Sequence, residues 1–75
     1  MSELPIVSSL KLTKVIIKLG FKEIRQKGSH KIFSHSDGRL VVIPMHSNKP
    51  VPEGLLNKII KQDLRLSKDE FLDLL

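Results

Sequence analysis

No cysteine occurs among the 75 residues, so no disulfide can support the fold, and no Cys/His cluster offers the closed tetrahedral set of a structural zinc. Packing alone has to hold a chain of this size, which buries only roughly 60% of the surface its unfolded form exposes. Long apolar runs are absent as well. The longest, Val15-Ile16-Ile17 and Leu40-Val41-Val42-Ile43, fall far short of the ~20 residues of a spanning helix, and no membrane partner is expected. The segment Met1-Ser2-Glu3-Leu4-Pro5 has neither the positive leader nor the apolar stretch of a secretory signal, so the expected compartment is the cytoplasm. There is no G-x-S-x-G elbow and no G-x-x-x-x-G-K segment, which leaves thiol, serine-hydrolase and nucleotide-loop chemistry without their parts. No cofactor, nucleotide or metal is expected. Asp37, Asp63, Asp69, Glu70 and Asp73 fall mainly in a turn and near helix ends, where capping and solvation account for them.

What the chain has in excess is positive charge: 13 Lys and Arg against 8 Asp and Glu, a net +5 at pH 7. Such a balance attracts polyanions through phosphate contact and counterion release, which makes nucleic acid the first partner to consider. A small soluble domain carries comparable charge for solubility alone, so charge by itself decides little.

No internal repeat, low-complexity tract or linker divides the sequence, and residues 1–75 read as one compact unit. After Pro5, Ser8 can cap a helix whose Leu12, Val15, Ile16 and Leu19 follow the spacing of one buried stripe, with Gly20 as its stop. Phe21 to Lys27 reads as a first strand, the turn signal Gly28-Ser29 joins it to an antiparallel partner from His30 to His35, and Asp37-Gly38 marks a second tight turn. Leu40 to Met45 is the third strand, with Pro44 near its end. Pro52 and Glu53 have the chemistry of a first helical turn. Leu55, Leu56, Ile59 and Ile60 make a second amphipathic stripe ending near Asp63 or Leu64. Ser67-Lys68-Asp69-Glu70 fits a capping box, so a last short helix through Phe71, Leu72 and Leu75 is expected. Both long helices bury their stripes on one face of a small antiparallel sheet, and the fold class is α+β.

The other face of that sheet faces water and is expected to be polar at alternate positions. Leu40 to Ile43 and the pair Ile32-Phe33 break the alternation by placing apolar groups on both faces. A protein partner docking on the helix-free face accounts for this; so does the plain preference of β-branched residues for strands.

Gly28-Ser29-His30 carries the strongest chemical signal. Glycine and serine let the backbone turn sharply close to a ligand, and an imidazole with an unperturbed pKa of ~6.5 exchanges protons near neutrality, a combination suited to acid/base work on a phosphodiester. Arg25, Lys27 and Lys31 are candidates to hold phosphate oxygens, and the backbone N–H groups around Gly28 and Ser29 can add anion contacts. His46 is a possible second histidine whose place depends on hairpin register. A three-residue loop with a glycine bulge sets His30 opposite Pro44 and puts His46 on its face, whereas a two-residue loop turns His46 away. His35, beside the turn, reads as a solvated loop histidine.

Taken together, Leu4-Pro5 with Ser8, Gly20-Phe21, Arg25-Gln26-Lys27-Gly28-Ser29-His30, Asp37-Gly38-Arg39, Ile43-Pro44-Met45-His46, Gly54 and Ser67 to Phe71 resemble the HicA, or YcfA-like, family in order and over almost the whole chain. The chain departs from that family's pattern with Leu55 where threonine usually follows the glycine, and with Asp63-Leu64 where a glycine ends the second helix. The resemblance implies a double-stranded-RNA-binding-domain-like fold. It also implies the toxin of a toxin-antitoxin system, an endoribonuclease that cleaves mRNA and is inhibited by a HicB-type antitoxin, with His30 matching the family's catalytic histidine. RNA cleavage without a metal uses the ribose 2′-hydroxyl as nucleophile, so that one histidine can serve either or both proton transfers. The alternatives are a non-catalytic module that binds structured RNA through shape and phosphate contacts, and a protein-binding adaptor built on the apolar sheet face.

Overall fold

Ser8 opens the first helix through its hydroxyl, which accepts the Lys11 N–H at 3.1 Å; α1 runs Ser9–Lys18 in the computed structural model, which describes residues 4–45 and 49–75. Leu12, Val15 and Ile16 form its buried stripe, with Leu19 packed partly beside them. Gly20 takes a φ of 98°. Its N–H donates to the Ile17 carbonyl and that of Phe21 to the Ile16 carbonyl, the paired bonds of a Schellman stop. The positive φ is why a glycine stands there.

Three antiparallel strands follow in the order β1 (Lys22–Lys27), β2 (His30–Ser34) and β3 (Leu40–Pro44). Lys27 pairs with His30 across the two-residue Gly28-Ser29 turn, where Gly28 alone has a positive φ, of 60°. That is the pattern of a type II′ hairpin. The second turn spans three residues. His35 N–H donates to Arg39 O and Gly38 N–H to His35 O, both at 2.9 Å, with Gly38 at φ 98°. This is the glycine-bulge loop, and it sets His30 opposite Pro44. The alternation of β2 and β3 follows from it: Phe33, Val41 and Ile43 are buried, while Leu40 and Val42 stay 51% and 40% exposed on the other face.

The second helix begins as α2 (Glu53–Lys58) and continues into a π-helical turn over Ile59–Asp63, in which the Leu64 N–H donates to Ile59 O five residues back. Leu56, Ile59, Ile60 and Leu64 are all buried, a spacing that an α-helix and a π turn satisfy equally over so short a span. The wider turn leaves its mark in the Lys58–Asp63 pair at 3.5 Å, also five residues apart. Arg65 then takes a φ of 58°. Here, two residues beyond Asp63, is the left-handed position that a helix-ending glycine usually fills.

A capping box starts α3 (Lys68–Leu74): Ser67 Oγ accepts the Glu70 N–H and Glu70 accepts the Ser67 N–H. Phe71 anchors α3 in the core, where it joins Phe21, Phe33 and the apolar residues of α1, β3 and α2. Helix, three-stranded sheet and helices on one side give the α+β, double-stranded-RNA-binding-domain-like architecture. No helix among the described residues is long and apolar enough to cross a membrane.

Candidate functional site

His30 begins β2 directly after the Gly28-Ser29 turn and is exposed. Its cross-strand neighbours are Lys27 on β1 and Pro44 on β3. Because Phe33 is buried on the helix-covered side, strand alternation assigns Ile32 and His30 to the opposite, open side, together with their partners Arg25, Lys27, Val42 and Pro44. The imidazole therefore stands between a cationic strand and an apolar one.

Two bonds hold the strand end that faces it. Pro44 has no N–H to give, and the pairing continues one residue on, where the Met45 N–H donates to Ser29 O at 2.6 Å. The buried Ser9, in the first turn of α1, donates its hydroxyl to Pro44 O at 2.7 Å. Sequence reasoning singled out Ser8 as the cap and missed Ser9, whose partner lies 35 residues away. At the turn itself, Gln26 Nε2 donates to Gly28 O at 3.2 Å. The N–H groups of Gly28 and Ser29 lie outside the ladder between β1 and β2, in exposed residues where an anion can reach them.

The sequence candidates divide by face. Arg25 and Lys27 share the open face with His30. Lys31 does not: one residue along β2 it points to the helix-covered side, and its Nζ lies 3.3 Å from Glu23, the partner of Phe33. Lys22, which sequence reasoning passed over, pairs with Ser34 and so joins the open face. Its placement follows from a β-bulge between Glu23 and Arg25, and no residue of β1 is buried enough to signal that irregularity through hydrophobic patterning. His46 lies outside the described residues.

His35 is a correction to the sequence reading. Its side chain is only 19% exposed. Nε2 lies 3.0 Å from Leu19 O, to which it donates, and Nδ1 accepts the Asp37 N–H at 3.1 Å. The ring also meets Phe21 edge to face at 5.1 Å. Arg39 completes this cluster: Nε donates to Asp37 Oδ2 at 2.8 Å, Nη1 to Leu64 O at 2.7 Å, and the guanidinium lies 5.2 Å from the Phe21 ring centre. These contacts tie the second hairpin to the ends of α1 and of the π turn, which gives His35 and Arg39 a structural role. The Arg39 N–H bound to Asp37 holds that carboxyl below its ordinary range, aided by the guanidinium and by His35.

The site is an open surface. A shallow hollow of about 200 Å³ is lined by Leu4, Pro5, Ile6, Pro50, Val51, Pro52, Glu53 and Leu56, none of them from the sheet. A histidine and cations on an open strand face suit a polymer more than a small molecule, which is normally held in a concave pocket. Among the described residues no three His, Cys, Asp or Glu side chains gather to hold a metal.

No curated protein matches the chain. A family model does: that of the HicA toxin of bacterial toxin-antitoxin systems, over residues 10–63, which takes in α1 from its second residue, the whole sheet and the second helix to the end of its π turn. A match over that much of 75 residues, on a fold of the expected kind with the Gly28-Ser29-His30 turn exposed, establishes that the chain belongs to the HicA toxin family.

Proposed function

We propose that the protein is a metal-independent endoribonuclease toxin that cleaves mRNA, with His30 as its proton-transfer residue. The observation that carries this reading is the position of His30, exposed on the helix-free face opposite Lys27, with Arg25 on the same face. In the reaction the imidazole takes the proton of a ribose 2′-hydroxyl as the 2′-oxygen attacks the adjacent phosphorus. The 5′-oxygen leaves with a proton from the imidazolium or from water, and the phosphate closes to a 2′,3′-cyclic ester. The Gly28 and Ser29 N–H groups stabilise the charge on the phosphorane oxygens, where such interactions count most, while Arg25 and Lys27 hold phosphate oxygens of the bound strand. Lys31, on the far face and paired with Glu23, has no phosphate role in this reading.

Inhibition by a HicB-type antitoxin belongs to the same proposal. Ile32, Leu40 and Val42 lie on the face of His30, and an inhibitor seated on them also covers the imidazole. The test is His30→Ala. Loss of general acid/base catalysis lowers the cleavage rate by about 10²–10⁴-fold, with EDTA making no difference to the wild type and the thermal midpoint of the variant unchanged. Equal cleavage by variant and wild type, each freed of contaminating nuclease, rules the reading out and leaves an RNA-binding module.

A further inference from the structure

In an unbroken strand, Lys22 and Arg25 face opposite ways. The extra residue in the Glu23–Arg25 bulge, Ile24, reverses this and brings Lys22, Arg25 and Lys27 into one row on the open face, opposite Ser34, Ile32 and His30 in turn. Each step along the row spans two residues of β2, roughly 6.6 Å, comparable to the phosphate-to-phosphate repeat of an extended ribonucleotide strand. The row ends beside His30.

These cations are free to bind. The ion pairs among the described residues engage Lys31, Arg39 and Lys58, and the one carboxylate on β1, Glu23, is held by Lys31 on the opposite face. The same face has no Phe, Tyr or Trp platform on which successive bases can stack. The chain has no tryptophan or tyrosine, and Phe21, Phe33 and Phe71 are all buried in the core. Single-strand binders that hold bases rely on aromatic platforms; without one, the contact that remains is to phosphate. A duplex offers its phosphates across grooves, over a broader footprint than a single straight row covers.

From this we propose that the open face of β1 is a track for the sugar-phosphate backbone of one RNA strand, in which Lys22, Arg25 and Lys27 each hold one phosphate, leave base identity unread and deliver the next linkage to His30. The inference rests on the ribonuclease reading above. It accounts for a bulge in the edge strand and gives Lys22 a function.

Short 2′-O-methyl oligo(U) and oligo(A), whose blocked 2′-oxygen prevents cleavage, test it with the intact chain by fluorescence anisotropy across a salt series. Three phosphate contacts on a single strand give a slope of log K against log[salt] of about −2, and each of Lys22→Ala, Arg25→Ala and Lys27→Ala reduces it by about 0.7. Each variant weakens both probes equally, and Lys22→Arg restores the wild-type slope. Lys61→Ala, which removes the same charge from an exposed position in the π turn, leaves the slope unchanged. All positions of the row are exposed, and unchanged circular dichroism melting confirms that each variant is folded. The track is overturned if the three variants keep the full slope, if Lys61→Ala matches Lys22→Ala, or if the probes differ in affinity by more than about tenfold, the discrimination of one good base contact. Those results leave standing the core of the ribonuclease reading, proton transfer by His30. Failure of the wild type to bind either probe at low salt removes both.

Discussion

Gly20 shows how much a single residue can carry in a small core. Its φ of 98° closes α1, and a Cβ built there would lie 3.1 Å from His35 Nε2, the atom that bonds Leu19 O. Gly20→Ala therefore meets two obstacles, a left-handed conformation costing about 1–2 kcal/mol for an L-residue and a tight contact to which the His35 clamp must yield by a few tenths of an ångström. Calorimetry is expected to show a Tm lower by several degrees, with RNA cleavage at permissive temperature intact. Asp37 and Glu70 contribute to the acid side of the stability profile. The first is held below its ordinary range chiefly by the Arg39 N–H, the second by the Ser67 N–H and then the Ser67 hydroxyl. A carboxyl whose folded pKa lies below its unfolded one stabilises the fold fully above the ordinary carboxylate range and loses that contribution as pH falls through the folded value. Thermal midpoints are thus expected to be flat in these two groups near neutrality and to drop as the medium is acidified below that range. Asp37→Asn with Glu70→Gln shallows the drop, and an unchanged acid limb in the double variant refutes the assignment.

At the scale of elements, the end of the second helix is the place where local sequence and local conformation disagree. Arg65 adopts a φ of 58°, a conformation in which glycine has no Cβ penalty. Relief of about 1–2 kcal/mol, set against the ~0.5–1 kcal/mol of extra backbone entropy that glycine loses on folding, leaves a net gain for Arg65→Gly of up to about 1.5 kcal/mol. Denaturant melts should show a higher midpoint at unchanged slope, while Arg65→Val, β-branched at the same φ, should lower it. The π turn before it spaces Lys58 and Asp63 five residues apart and presents Leu64 O to Arg39. The α periodicity of the sequence correctly located this helix and its end, but five residues are too few to distinguish 3.6 residues per turn from a wider coil. Strand β1 presents the converse case: its existence was legible from the Gly28-Ser29 turn, its bulge was not, because all six of its residues are exposed and none records an inward face.

The whole molecule is a sheet with one side committed to the core and the other divided between cations on β1 and aliphatic side chains on β2 and β3. The committed side accounts for the fold. The divided side holds His30, and on the proposed reading it takes two partners in turn, a phosphate backbone along β1 and an antitoxin over Leu40 and Val42. Exchanging these two for threonine places a β-branched, strand-favouring side chain at each position and removes no core contact, so the stability change stays within about 1 kcal/mol. Burying a leucine and a valine side chain contributes about 1.5–3 kcal/mol each; the double variant is therefore expected to weaken the antitoxin complex by at least about tenfold in calorimetric titration, with RNA binding through β1 retained. An unchanged affinity places the antitoxin elsewhere.

By itself the sequence determined the helices, their caps, both hairpin turns and the exposed Gly28-Ser29-His30 segment. The chemistry behind each of these is local: a hydroxyl reaching an N–H three residues on, a glycine free to take positive φ, apolar side chains returning every turn. It also narrowed the pairing of β2 with β3 to two registers. Only the tertiary structure decided which face each strand residue takes, because side chains alternate with a period of two and one added residue in a loop or a bulge reverses them all. That is how Lys22 came to share the face of His30. Only the tertiary structure, too, brought His35 to Leu19, Arg39 to Leu64 and Ser9 to Pro44, since contacts between residues so far apart in the chain form once the layers have packed.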